Sequence, residues 1–225
     1  MGAREFGEIA AARVAWVASD QLGQIEAAGA RIADAIATGH RVWVTPTSHT
    51  LHTEATRRAG GLMAVHVLED LDTVEAGDVV LAGTSAGTFA DIVEAAIVAT
   101  QRGAFVVALT QLSFETDARV PSTHASGRVL SEVADLVVDL GGPFGDGEFV
   151  LSDPDGRAVQ IIPSSGVTGV LALWMIMAEA VERLVAAGTP PFVWQSNLIP
   201  GAPERNAALV AAYEQTRKGY RDATG

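Results

Sequence analysis

Residues 78–99 read DVVLAGTSAGTFADIVEAAIVA, and the fold turns on how this stretch divides. Positions 79–82 are a short, continuous apolar run, the pattern of a strand buried on both faces of a parallel sheet. Positions 83–88, Gly-Thr-Ser-Ala-Gly-Thr, are small and hydroxylated. From Phe89 the spacing becomes helical, with Ile92, Val93, Ala96, Ile97 and Ala99 on one wide face. Strand, tight turn and helix together make an anion-binding unit. Glycine lets the backbone approach, hydroxyls donate, and a helix N-terminus offers free N–H groups and positive potential. An ordinary tight βα turn favours the same residues, so the stretch alone leaves both readings open.

Working outward, residues 6–38 read as helix in one or two pieces, with Leu22, Ile25, Ile32 and Ile36 on one face and Gly39 as a terminator. Residues 42–44 form a strand, 48–59 a helix stopped by Gly60 and Gly61, and 62–67 a second strand. An acidic connector over 68–77 leads into the opening unit. A strand at 105–109, a polar loop at 111–128, a short helix at 129–133 and a strand at 136–140 follow. About five strands alternating with helices predict an α/β three-layer sandwich around a mostly parallel, flavodoxin-like sheet with right-handed crossovers. Beyond it, apolar runs at 149–151 and 159–162 flank Asp153-Pro-Asp-Gly156, which predicts a hairpin. Residues 167–187 form a helix apolar nearly all round, to be buried in the core or between subunits. A terminal helix spans 204–220. No linker or repeat interrupts the chain, so one domain over 1–225 is expected: a helical segment to residue 40, an α/β core to 140, then hairpin and C-terminal helices.

Composition narrows the function. The 225 residues are 48% hydrophobic and carry a formal net charge of −12. That excess of acid argues against nucleic acid as a partner, since phosphate-backbone binding needs clustered Lys and Arg. A small anion needs only a few local donors and stays allowed. With no cysteine, thiolate catalysis, thiolate metal sites and disulfides are excluded. The N-terminus lacks an apolar signal-peptide core, and Phe6 breaks the myristoylation pattern. Residues 158–178 carry no charge, but Pro163-Ser-Ser-Gly166 leaves too short a helix to span a bilayer. No membrane association is expected.

Four groups of residues, the opening loop among them, carry a resemblance. Ser48-His49 is followed by Glu54 and Arg58-Ala-Gly-Gly61. The 83–88 loop comes next. Val120-Pro-Ser-Thr-His-Ala-Ser-Gly127 precedes Ala134-Asp135 and Gly145-Asp146. Pro190-Pro191 precedes Ser196-Asn197 and Arg205-Asn206. In this order they resemble a sugar isomerase (SIS) domain, the phosphosugar-binding fold, and especially a subgroup of single-domain SIS proteins. The likeness covers essentially the whole chain. It departs from the subgroup at Thr45-Pro-Thr47, where a glycine-rich loop is usual and Pro46 removes an N–H donor. It departs again at Ala86, Phe89 and Arg205. The retained Thr84, Ser85 and Thr88 keep anion binding plausible, with phosphate, sulfonate, carboxylate or an uncharged polyol as ligand classes.

The resemblance implies a cytoplasmic, cofactor-independent aldose–ketose isomerase that acts on a sugar phosphate or other acidic sugar through an enediol. Such chemistry needs a carboxylate to carry a proton between C1 and C2, an acid/base at the ring oxygen, and an anchor for the anion. Glu54 is the expected proton carrier, because isomerases of this fold place a glutamate on the first helix. Periodicity alone would make it a surface glutamate paired with Arg57 or Arg58. His49 is the candidate for ring opening, or else a helix-start residue beside a capping Ser48. Ser48, Thr84, Ser85, Gly87 and Thr88 would hold the anion. Arg58, His124, Ser164, Ser165, Arg205 and Asn206 are further candidates, the last two reaching a neighbouring subunit of a homodimer or tetramer. His49 and His52 lack a third ligand of fixed spacing, so no metal is expected. Two other readings stay open: a phosphosugar-binding sensor without catalysis, and a lyase or etherase acting on an amino-sugar phosphate.

Overall fold

A computed structural model describes residues 2–46, 51–56 and 58–224, with side chains to position 218. Two N-terminal helices, α1 (Ala3–Asp20) and α2 (Leu22–Ala37), meet at Gln21 and lead into β1 (Val42–Val44). The short α3 (Leu51–Ala55) precedes β2 (Val65–Val67), and β3 (Val79–Gly83) passes to α4 (Ala90–Gln101). Then come β4 (Phe105–Thr110), α5 (Leu112–Glu115), α6 (Leu130–Val133) and β5 (Leu136–Asp139). The hairpin β6 (Gly147–Ser152) and β7 (Ala158–Pro163) is followed by the long helices α7 (Ser165–Ala186) and α8 (Ala202–Thr224). Strands β1 to β5 form one parallel sheet in the order β2-β1-β3-β4-β5, and β6 and β7 pair antiparallel as a separate ribbon. This is the α/β sandwich the sequence predicts, with the strand order of a flavodoxin-like sheet.

The period of two along each strand divides the core into two halves. Val42, Val44, Val79, Leu81, Val107, Leu109 and Val138 face one side with Ile25, Ile32, Leu173 and Ile176 of α2 and α7. Trp43, Val80, Ala82, Val106 and Ala108 face the other, against Ile92, Val93, Ala96 and Ala99 of α4. Most buried polar groups in folded proteins are paired. Asp78, 2% exposed, immediately precedes β3 and accepts from the Arg41 amide (2.9 Å), the Trp43 indole (2.7 Å) and the Glu75 amide (3.0 Å). One carboxylate thus ties the beginnings of β1 and β3 together.

Several boundaries differ from the sequence reading. The helix expected over 48–59 is confined, among the described residues, to Leu51–Ala55. The strand expected from Leu62 starts at Val65. Residues 60–63 bond instead with 192–194: Gly60 to Trp194, Trp194 to Gly61 and Met63 to Phe192, at 2.8–2.9 Å. A segment distant in sequence has claimed these backbone groups. The loop expected over 111–128 contains α5. The apolar helix α7 is buried along one side, while Val167, Ala178 and Val185 remain exposed.

Helices α2 and α7 cross closely at Gly29, where a Cβ would lie 2.5 Å from Glu179 Cγ and 3.0 Å from the Ile176 carbonyl oxygen. Gly29→Val is expected to lose about 1–3 kcal/mol of stability. Gly23→Ala, in open space on the same helix, is expected to be neutral or to stabilise by up to about 1 kcal/mol. Urea unfolding of the two variants checks the contrast.

Candidate functional site

In doubly wound sheets, ligands bind beyond the carboxyl ends of the strands, where the strand order reverses. Here that point lies between β1 and β3. At the end of β1, Thr45 is 1% exposed; its amide donates to Leu81 O (3.1 Å) and its hydroxyl accepts from the Gly83 amide (3.2 Å). The chain then enters residues 47–50. The candidates Ser48 and His49 lie outside the described residues.

On the neighbouring strand, β3 runs into the 83–88 loop. Thr84 continues the ladder to Leu109 O (2.9 Å) and its hydroxyl accepts from the Ala86 amide (3.1 Å), a local turn of the kind short hydroxyl side chains stabilise. Thr84 and Thr88 are buried and Ser85 is half-buried. Helix α4 has no cap from its own Phe89. Thr123 supplies one from the loop before α6: its hydroxyl accepts from the Ala90 amide (2.9 Å), and its amide donates to Thr88 O (2.8 Å). The 120s loop therefore closes over the start of α4. His124 fastens it, with Nε2 2.8 Å from Glu94 Oε2 on α4 and Nδ1 2.7 Å from Ser126 Oγ. Nε2 facing a carboxylate makes it the protonated nitrogen.

Under the loop sits a residue that the sequence reading missed. Glu115 accepts from the Thr110 hydroxyl (2.6 Å) and the Ser131 amide (2.8 Å). A methyl group at position 87 would collide with its carboxylate and come within 2.7 Å of Leu130 Cβ. Gly87 also accepts from the Leu130 amide (2.7 Å). Gly87→Ala is therefore expected to lower stability by about 1–3 kcal/mol. Adding Glu115→Ala should restore part of the stability. A double-mutant cycle in urea checks the coupling.

The other candidates separate. Glu54 on α3 is half-buried and paired at 2.8 Å with Arg58, whose side chain is 55% exposed. This is an i,i+4 pair, worth a few tenths of a kcal/mol. Ser164 and Ser165, both buried, reach two carboxylates that stand two residues apart. Ser164 donates to Glu148 (2.5 Å) and Ser165 to Asp146 (2.7 Å). Gln111 donates to the other oxygen of Asp146 (3.1 Å), and Arg13 from α1 grips Glu148 with two nitrogens (3.0 and 3.2 Å). The negative groups at the start of α7 thus come from the chain itself. Asn206 is buried and clamps residues 195–197 to α8, accepting from the Gln195 amide (3.0 Å) and donating to its carbonyl (2.9 Å). Arg205 stands exposed beside it. Glu115, Gln111 and Arg13 gave no local signal, because partners up to 135 residues away decide their roles.

Burial pushes the Glu148 carboxyl up, but hydrogen bonds from Arg13 and Ser164 and the Arg13 charge together hold it below its ordinary value. A depressed folded value means stability that is fully present above the unfolded value, about 4.3 for Glu, and lost as pH falls through the folded one. Glu148→Gln should flatten this acid limb, as read by urea unfolding between about pH 7 and about pH 3.

Among the described residues no group of three or more His, Asp or Glu side chains could hold a metal ion, and no helix is long and apolar enough to cross a membrane. The fold and the loop at its switch point define the class: a doubly wound α/β protein with a hydroxyl-rich turn at a helix start. No family model matches the chain. A UPF0309 protein of Brucella canis is 30% identical over 93% of this chain and 95% of its own length. Another, of Listeria innocua, is 29% identical over 88% and 90%. The chain belongs to the UPF0309 family. Two solved structures align more loosely, each with a TM-score of 0.48. The sugar isomerase domain of an RpiR transcription factor from Sphaerobacter thermophilus is 18% identical, over 92% of this chain and 95% of that one. The Vibrio vulnificus NanR protein complexed with ManNAc-6P is 14% identical, over 82% of this chain and 66% of that one.

Proposed function

We propose that this chain binds a sugar phosphate or other acidic sugar at the 83–88 loop and interconverts its aldose and ketose forms in the cytoplasm. The observation that carries the reading is the loop at the strand-order switch point, where Thr84, Ser85 and Thr88 gather beside the start of α4. The backbone and hydroxyl donors of such a turn suit an oxyanion. Glu54 is the proposed proton carrier between C1 and C2. Arg58, paired with it at 2.8 Å, would orient it in the free protein, and His49 is the proposed ring-opening group. No cofactor is required, since an enediol forms by proton transfer alone.

A sensor that binds the sugar without turning it over is the second reading. It is favoured by one observation: Ser164, Ser165 and His124 are engaged by Glu148, Asp146 and Glu94. Fewer side chains then remain for chemistry. We further propose a homodimer or higher oligomer. Val167, Leu171, Trp174, Ala178, Val181 and Val185 recur along α7 at three- and four-residue spacing, each exposed or half-exposed, as in a helix–helix seam.

A thermal-shift panel of sugar phosphates, sulfonates and aldonates should first find a stabilising ligand. With that ligand in deuterated solvent, NMR is expected to show exchange at C2, reduced at least about a hundredfold in Glu54→Gln. Binding without exchange selects the sensor, and a cleaved or unsaturated product selects the lyase. No stabilising acidic sugar at all overturns the reading.

A further inference from the structure

The α4 side of the sheet is unevenly covered. Helices α4 and α6 pack against β3 and β4, whereas the flank formed by β1 and β2 is bordered by α8. A cleft of about 730 Å³ opens there, within the size range of small-ligand sites. Trp43, His66, Trp194 and Tyr213 line it, with Glu69 and Glu214, and among the described residues no lysine or arginine lines it. Trp43 and His66 are register partners on neighbouring strands, their rings 5.6 Å apart, and His66 lies 6.4 Å from Tyr213.

These rings are held in place. The Trp43 indole is bonded to the buried Asp78 (2.7 Å), and Tyr213 meets Phe192 edge-on at 6.0 Å. Burial, with Glu214 next, pushes the Tyr213 hydroxyl up to about 12, so the ring stays neutral. The chain already seats one cation at this rim: the Arg41 guanidinium lies 5.8 Å from the Trp43 ring centre and 3.9 Å from Glu214. Glu214 also takes Arg217 at 3.1 Å. Glu69, at the opposite part of the lining in sequence, is exposed and makes no ion pair among the described residues.

We propose that this cleft binds a small organic cation, an ammonium group carrying methyl or methylene substituents. Its charge would lie against the aromatic faces, where a ring quadrupole attracts it, and Glu69 would complete the electrostatic match. An acidic sugar would be repelled by the same carboxylates. The cleft therefore takes a different chemical class from the strand-end loop, and the inference does not depend on the function proposed there.

The test titrates choline and tetramethylammonium into the full chain, read by tryptophan fluorescence and calorimetry at fixed ionic strength. The neutral isostere 3,3-dimethyl-1-butanol serves as the uncharged probe. Choline is expected to bind saturably, roughly three- to thirtyfold more tightly than the isostere. Glu69→Gln, an exposed change that should leave folding intact, is expected to weaken choline about threefold or more, and Trp194→Leu more strongly. Three results overturn the inference: no saturable response up to about 10 mM, equal affinity for choline and its isostere, or unchanged affinity in Glu69→Gln. Sedimentation showing that a second copy fills the cleft and abolishes the choline response also overturns it.

Discussion

A strand buried on both faces can keep polar groups only at its ends, and β3 imposes this limit on the whole protein. Residues 79–82 are at most 2% exposed, and their amides and carbonyls are consumed by β1 and β4. Every hydrogen-bonding group with spare capacity is displaced to the strand termini. At the beginning, Asp78 gathers three N–H donors. At the end, the 83–88 loop meets α4. The loop's position is thus a by-product of how the core solves its own hydrogen-bonding problem.

Three acidic residues hold the strand-end loops in place. Glu115 supports the turn at Gly87, Asp146 links Gln111 to Ser165, and Glu148 links Arg13 to Ser164. Each is a carboxylate accepting from side chains or amides supplied by different elements. These contacts cross-link the described parts of the strand-end loops.

The sheet was legible from the sequence because both-face burial leaves unbroken apolar runs such as 79–82 and 105–109. The hairpin was legible because Asp153-Pro-Asp-Gly156 encodes its own turn, and Asp153 Oδ1 accepts from Asp155 and Arg157 (2.9 and 2.8 Å). The start of β2 was not, because residues 60–63 look strand-like yet pair with 192–194. At the site, the loop itself could be read, but its supports could not. Glu115 and Gln111 sit in a stretch whose polarity suggests only a loop. The engagement of Ser164 and Ser165 by Glu148 and Asp146 depends on a hairpin folding back, which no local pattern records.

The cap on α4 comes from Thr123, 33 residues after the amide it satisfies. Loop closure over that distance carries an entropic cost that local capping avoids. The opening turn of α4 therefore lacks this cap until the 120s segment is in place. The start of α4 is thus completed by tertiary structure rather than by its own sequence.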